Sequence, residues 1–268
     1  MRSRCLAWLL GLALFFPAAL LKAEVPTVAA ASDLQFALTE AAERFRTETG
    51  RELRLNFGSS GNFRRQIGQG APFELYLSAD EAYVLALHAE GRTEDEGVVY
   101  AIGRLVWLQR PGRDDLPGEA DPLAGVREAI SAHGAGQGRP RLALANPEHA
   151  PYGVAAREVL EQAGLWEATA PLRVLGENVS QAAQFALTSD ARGGLVAWSL
   201  ALAPQLAERS DHVLIPEAWH APLVQRMVLV KGAGETARAF YAWLQEEAAR
   251  GILAGYGFRL PDAGDTSP

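Results

Sequence analysis

From Val25 onward the chain alternates between two hydrophobic periods. Val25 to Ala30 is a short apolar run, of strand rather than helix length. After Ser32-Asp33, the residues Leu34, Leu38, Ala41, Ala42 and Phe45 recur at the 3.6-residue spacing of one helix face, and Gly50 ends the segment. Leu53, Leu55 and Phe57 then alternate as a strand, Ser59-Ser60 follow, and Phe63 with Ile67 open a second helix face. The same unit returns twice. Leu142 to Ala145 is a strand, N-P-E-H-A-P a turn, and Tyr152-Gly153 the start of a helix running through Leu160 to Gly164. Leu172 to Leu175 is a strand, Gly176-Glu177-Asn178 a turn, and Val179 or Ser180 the start of a helix carrying Ala183, Phe185 and Leu187. Strands alternating with helices at this spacing predict an α/β protein with mostly parallel sheets flanked by helices.

Between the second and third units lie an apolar strand at Val98 to Leu108 and the polar stretch R-P-G-R-D-D-L-P-G-E-A-D-P. A further apolar strand, Gln225 to Val230, precedes a last helix from Thr236 to about Arg250. This order predicts two lobes joined by two hinge crossings. Residues 24–103 and 219–268 form lobe 1, and residues 104–218 form lobe 2.

Residues 1–23 break the pattern. Arg2 and Arg4 lead an apolar run from Leu6 to Phe16, and Leu21-Lys22-Ala23 ends in a small residue, the three-part form of a secretory signal peptide. Pro17 interrupts the run, which is shorter than the roughly 20 residues a membrane span needs. Export to the periplasm with cleavage after Ala23 is therefore expected. Cys5 sits near the start of the apolar run and not at its end, which argues against a lipoprotein site. The mature chain would hold no cysteine, and so no disulfide, zinc-thiolate site or thiol nucleophile.

Composition narrows the function further. A chain of 268 residues with 49% hydrophobic and 21% charged residues has the makings of a sizeable core. Without Arg2, Arg4 and Lys22, 22 basic residues stand against 32 acidic, a net charge of 22 − 32 = −10. Nucleic acid and anionic membranes are poor partners for such a surface. Lys231 is the one lysine left, so no G-x-x-x-x-G-K or S-x-x-K motif can be drawn.

Four strand-turn-helix junctions remain, and a helix N-terminus presents unpaired N–H groups and the positive end of its dipole. If the lobes face one another, Ser32, Ser60, Tyr152 and Val179 converge on one small anion. Gly58 and Gly61 allow the backbone to approach it closely. Each junction also has a plainer reading. Ser32, Ser60 and Asn178 are good helix N-caps, Tyr152 after Pro151 suits packing, and Arg64-Arg65 suit a solvated helix face. Catalytic signals are sparse: His88, His133, His149, His212 and His220 show no metal-binding spacing, and no serine lies in a G-x-S-x-G elbow. One enzymatic alternative stays open, an exported serine hydrolase in which His149 serves Ser60 as base.

The segments A-A-A-S-D-L, F-G-S-S-G-N-F-R-R-Q-I, G-A-P-F-E-L-Y-L-S-A-D, N-P-E-H-A-P-Y-G, G-E-N-V and Y-G-F occur here in order. Together they resemble the periplasmic molybdate-binding proteins of ABC importers, over essentially the whole mature chain. The resemblance implies a two-lobed periplasmic-binding-protein fold, a tetrahedral molybdate or tungstate held without basic side chains, and no cofactor. It implies a monomer that hands its cargo to an inner-membrane ABC permease with its ATPase. Ser32 and Ser60 would donate hydroxyl and amide hydrogens, and Tyr152 and Val179 backbone N–H groups; Asp33, Ser59 and Asn178 are further candidates.

Two departures stand out. Where relatives carry a ligand tyrosine after G-[IL]-V, this chain has Gly194-Leu195-Val196 followed by Ala197 and Trp198. Asp33 stands where others have an apolar residue or an amide. It reads either as a first-turn acid with its side chain turned away, or as an acceptor favouring a protonated oxyanion such as phosphate. Another tetrahedral oxyanion, phosphate or sulfate, is accordingly the alternative cargo.

Overall fold

The computed structural model describes residues 25–112, 115–188 and 190–261; the expected signal peptide lies outside them. Among the described residues, ten strands form two five-stranded sheets. The first contains β1 (Thr27–Ala31), β2 (Arg54–Gly58), β3 (Leu75–Ser78), β4 (Val98–Gly103) and β10 (Leu223–Leu229), in the order β2-β1-β3-β10-β4. The second contains β5 (Leu105–Gln109), β6 (Arg141–Ala145), β7 (Arg173–Gly176), β8 (Ala191–Ala197) and β9 (Asp211–Leu214), in the order β7-β6-β8-β5-β9.

Both sheets are mixed, and in the same way. In the first, β2, β1 and β3 are parallel and β10 runs antiparallel to both β3 and β4. In the second, β7, β6 and β8 are parallel and β5 runs antiparallel to both β8 and β9. The reversed strand is in each case the one that has just crossed from the other sheet. The apolar run Val98 to Leu108, which reads as one strand, is divided at Arg104 between the two sheets. Likewise the last helix is two, Glu235–Trp243 and Glu247–Gly255.

The crossings are tied to each other. Arg104 in the first pairs with Glu217 in the second at 3.0 Å, and Arg259 reaches the same carboxylate at 3.7 Å. Arg259 also exchanges backbone hydrogen bonds with Ile102, which returns the C-terminal segment to β4.

Local sequence explains the elements. Val28, Ala29 and Ala30 are fully buried, as a central parallel strand covered on both faces requires. The helix Gln35–Thr49 buries Ala37, Leu38, Ala41 and Phe45 and ends at Gly50, whose φ of 71° supplies the left-handed cap. Phe45, Phe240 and Trp243 pack edge-on and stacked in the first core. Trp107, Leu144, Val159 and Leu195 centre the second. Ala31 and Ala79, from the first lobe, are buried in the second lobe's apolar cluster, so the lobes are pressed together.

Candidate functional site

Each lobe sends two strand-turn-helix junctions to the seam between them. Ser60 is the first residue of the helix Ser60–Gly68, Tyr152 the second of Pro151–Gln162, and Val179 the first of Val179–Ala186. N–H groups at these positions have no acceptor within their own helix. Ser32 opens the short 3-10 turn Ser32–Leu34 at the end of β1. All four residues are buried, with exposures of 2% for Ser32, 0% for Ser60, 1% for Tyr152 and 4% for Val179.

Neither serine is the cap that its position suggests. The residues in cap position are Ala31 and Ser59, and neither makes a side-chain cap bond. Ser60 Oγ instead accepts a hydrogen bond from the Ala79 amide at 3.0 Å. Ser32 Oγ accepts one from the Ser180 amide of the opposite lobe at 3.2 Å. A hydroxyl that accepts from an N–H keeps its own hydrogen to give, so both serines are left as donors. Asn178 is a true cap, its Oδ1 accepting from the Gln181 amide at 3.0 Å, which commits that side chain to its own helix.

The seam is closed by direct bonds. Gly61 N–H donates to the His149 carbonyl at 2.9 Å. A Cβ on Gly61 would lie 2.8 Å from that oxygen, so glycine here is what lets two backbones touch. Ser180 Oγ donates to Gln35 Oε1, and Ser199 Oγ donates to the Asp33 carbonyl at 2.8 Å. His149 Nδ1 shares a hydrogen bond of 2.9 Å with Ser59 Oγ, not with Ser60, and Glu177 lies 3.6 Å from His149 Nε2. The Ser60–His149 pair that the hydrolase alternative requires is therefore not formed. Ser60 is held by Ala79, while Ser59 and His149 join the lobes.

Asp33 does not turn away to solvent. It is 1% exposed, its Oδ2 accepts from Gln225 Nε2 at 2.6 Å, and Oδ1 is buried without a partner. Burial pushes its carboxyl up from 3.8 to about 6, against smaller opposing contributions from the Gln225 hydrogen bond and from the nearby Tyr152 hydroxyl and backbone N–H groups. Tyr152 Oη lies 3.3 Å from Gln225 Nε2, and Tyr100 Oη donates to Gln225 Oε1 at 2.6 Å. Burial first, then the nearby Asp33 charge, raises both phenols well above their usual range, so both stay protonated. Gly103 provides room for this cluster: a Cβ there would meet Tyr152 Oη at 2.2 Å.

Ala197, fully buried, stands at the position of the expected tyrosine, and the next residue, Trp198, donates its indole N–H to His212 at 3.1 Å. Gln225, Ser180, Ser199 and Tyr100 belong to this seam and were not legible as site residues. Only Gln225 leaves a sequence signal, an amide that with Arg226 interrupts the apolar run of β10 and is fully buried in the fold.

Two sheets with reversed crossing strands, meeting at a seam lined by helix N-termini and hydroxyls, have the two-lobed architecture of a periplasmic-type binding protein. The family model of bacterial extracellular solute-binding proteins matches residues 26–259, and the chain belongs to that family of transport proteins. Within it, the chain is 35% identical over 260 residues to the molybdate-binding protein ModA of Rhodobacter capsulatus, covering 96% of this chain and 94% of the relative. It is 33% identical over 237 residues to ModA of Azotobacter vinelandii, covering 87% and 89%. The solved periplasmic molybdate-binding protein of Azotobacter vinelandii superposes with a TM-score of 0.78 at 28% identity, over 88% of this chain and all of that one. The protein is thus a ModA-like periplasmic solute-binding protein and not an enzyme.

Proposed function

We propose that the lobes close over molybdate or tungstate, held by Ser32, Ser60, Tyr152 and Val179, and that the closed form delivers the anion to an ABC permease and its ATPase as a monomer. The observation that carries this reading is the state of the two serine hydroxyls. Each already accepts a backbone N–H, so each has its hydrogen to direct at an anion, and the amides of Ser60, Tyr152 and Val179 add three further donors. The donors are neutral and fixed. In a dry cleft they stabilise a dianion strongly, because little of the surrounding dipole has to reorganise.

They bind the ligand's oxygens and not the metal atom, so the chemistry is anion recognition. Hinge closure about the two crossings then removes water from the ligand and commits it. The ModA relatives support molybdate as the cargo. Titration calorimetry with molybdate, tungstate, sulfate and phosphate tests the reading. Molybdate and tungstate should bind tightly, one per chain; tight sulfate or phosphate binding without a molybdate signal would overturn it.

A further inference from the structure

Every group expected to face the anion is a donor, yet the residue beside Ser32 carries a carboxylate. Asp33 is buried, Gln225 occupies Oδ2, and Oδ1 has no partner among the described residues. An unsatisfied buried carboxylate oxygen is costly and calls for an explanation. Asp33 directly follows Ser32, whose hydroxyl is assigned to the anion, and its carboxyl is approached by the phenol of Tyr152 from the other lobe. It is therefore at the seam, next to groups of two of the residues assigned to the anion.

We propose that Asp33 is a specificity-determining member of the oxyanion site, and that its Oδ1 and an oxygen of the bound anion share one proton. This rests on the oxyanion reading above. In the open protein at neutral pH the carboxyl is ionised. On capture of a dianion it takes one proton from the solvent, becomes neutral, and donates O–H to the ligand in line with the other donors. No bond other than O–H forms or breaks.

The surroundings favour that proton. The titratable groups facing Asp33 are the phenols of Tyr100 on β4 and Tyr152, and both are acids of far higher pKa. Gln225 on β10 is neutral. The segments Val179–Ala186 and Trp198–Ala201, packed against the Ser32 turn, contain no charged residue. The neighbouring helix Gln35–Thr49 and strand β2 do carry charges, but no basic side chain compensates Asp33. A dianion arriving beside an ionised Asp33 meets an uncompensated like charge, and protonation removes it.

Calorimetry of molybdate binding at pH 7.5, in buffers of different ionisation enthalpy, counts the protons. We expect close to one proton taken up per molybdate and an affinity that falls about tenfold per pH unit above the Asp33 titration. In Asp33→Asn the uptake should vanish and the affinity become flat with pH. Binding without proton uptake in the unaltered protein would overturn the proposal and leave the oxyanion site standing. Uptake that disappears in His149→Gln and survives in Asp33→Asn would also overturn it, by assigning the proton to the histidine at the same seam. Failure of molybdate and tungstate to bind the unaltered protein would remove the reading on which it rests.

Discussion

The amide of Gly61 donates to the carbonyl of His149 over 2.9 Å, backbone to backbone, from one lobe to the other. Side chains can yield to an added methyl group, but two backbones cannot without moving their lobes. Gly61→Ala places a Cβ 2.8 Å from the carbonyl oxygen and 3.0 Å from the His149 Cα. The closed state should open by a few tenths of an ångström, and molybdate affinity should fall by about tenfold or more, roughly 1.4 kcal/mol. Calorimetry checks the affinity. An affinity equal to the unaltered protein's would contradict the steric account.

Ser60→Ala removes a hydroxyl whose oxygen is held by Ala79 and whose hydrogen is free for the anion. The loss of one hydrogen bond to a charged ligand should weaken binding by roughly 1 to 3 kcal/mol, and Ser32→Ala should behave alike. Unchanged affinity in either variant would reduce that serine to a structural contact. A double variant would show whether the two hydroxyls act independently.

Ser59 and His149 meet across the seam at 2.9 Å, the distance at which a base could also activate a nucleophile. The bond they make joins the two lobes. Ser59→Ala should lower molybdate affinity by about 1 kcal/mol, the net worth of one neutral hydrogen bond, and no ester turnover should be measurable before or after the change. Burst release from an activated ester, abolished in Ser59→Ala, would reverse this assignment.

Asp33 also predicts how stability depends on pH in the absence of any ligand. Its carboxyl is raised from 3.8 to about 6 by burial, so between those values the folded protein binds a proton that the unfolded chain has released. Stability attributable to this group is therefore greatest below about pH 4, declines by roughly 1.4 kcal/mol per pH unit through the window, and levels off above about pH 6. Asp33→Asn keeps an acceptor for Gln225 and carries no charge to desolvate. It should be more stable than the unaltered protein at pH 7 to 8 and lose the decline between pH 4 and 6. Denaturant titrations across that range measure both, and identical pH profiles would refute the buried-charge account.

Much of the architecture was legible because burial imposes period. The unbroken apolar run at Ala29 to Ala31 and the 3.6-residue stripe from Leu34 to Phe45 each have one way to hide from water. The lobe boundary expected after residue 103 falls within Val98 to Leu108, yet hydrophobicity alone reads that run as one strand, since both halves are equally apolar and a change of sheet leaves no trace in it. Glu217, which pairs with Arg104 across the crossings, is more than a hundred positions away.

At the seam, the chemistry of single residues was readable and their partners were not. Ser32 and Ser60 carry the hydroxyls, and helix starts near residues 60, 152 and 179 carry the free amides, whatever surrounds them. Caps and donors look alike in a sequence, however; it took the Ala79 and Ser180 amides, brought in from elsewhere, to occupy the serine oxygens and free their hydrogens. The same holds for His149, which meets Ser59 and not Ser60 because the last turn before each helix fixes which hydroxyl faces the other lobe.

By itself the sequence determined the alternation of strand and helix, the positions of the N-termini and the absence of lysine from the candidate site, because propensity, period and composition are local. Tertiary structure alone decided the order of the strands within each sheet, which oxygen accepted which hydrogen, and that Asp33 would be sealed beside Tyr152 and Gln225 with one oxygen unpaired. Those outcomes depend on distances between residues far apart in the chain, and only the folded packing sets such distances.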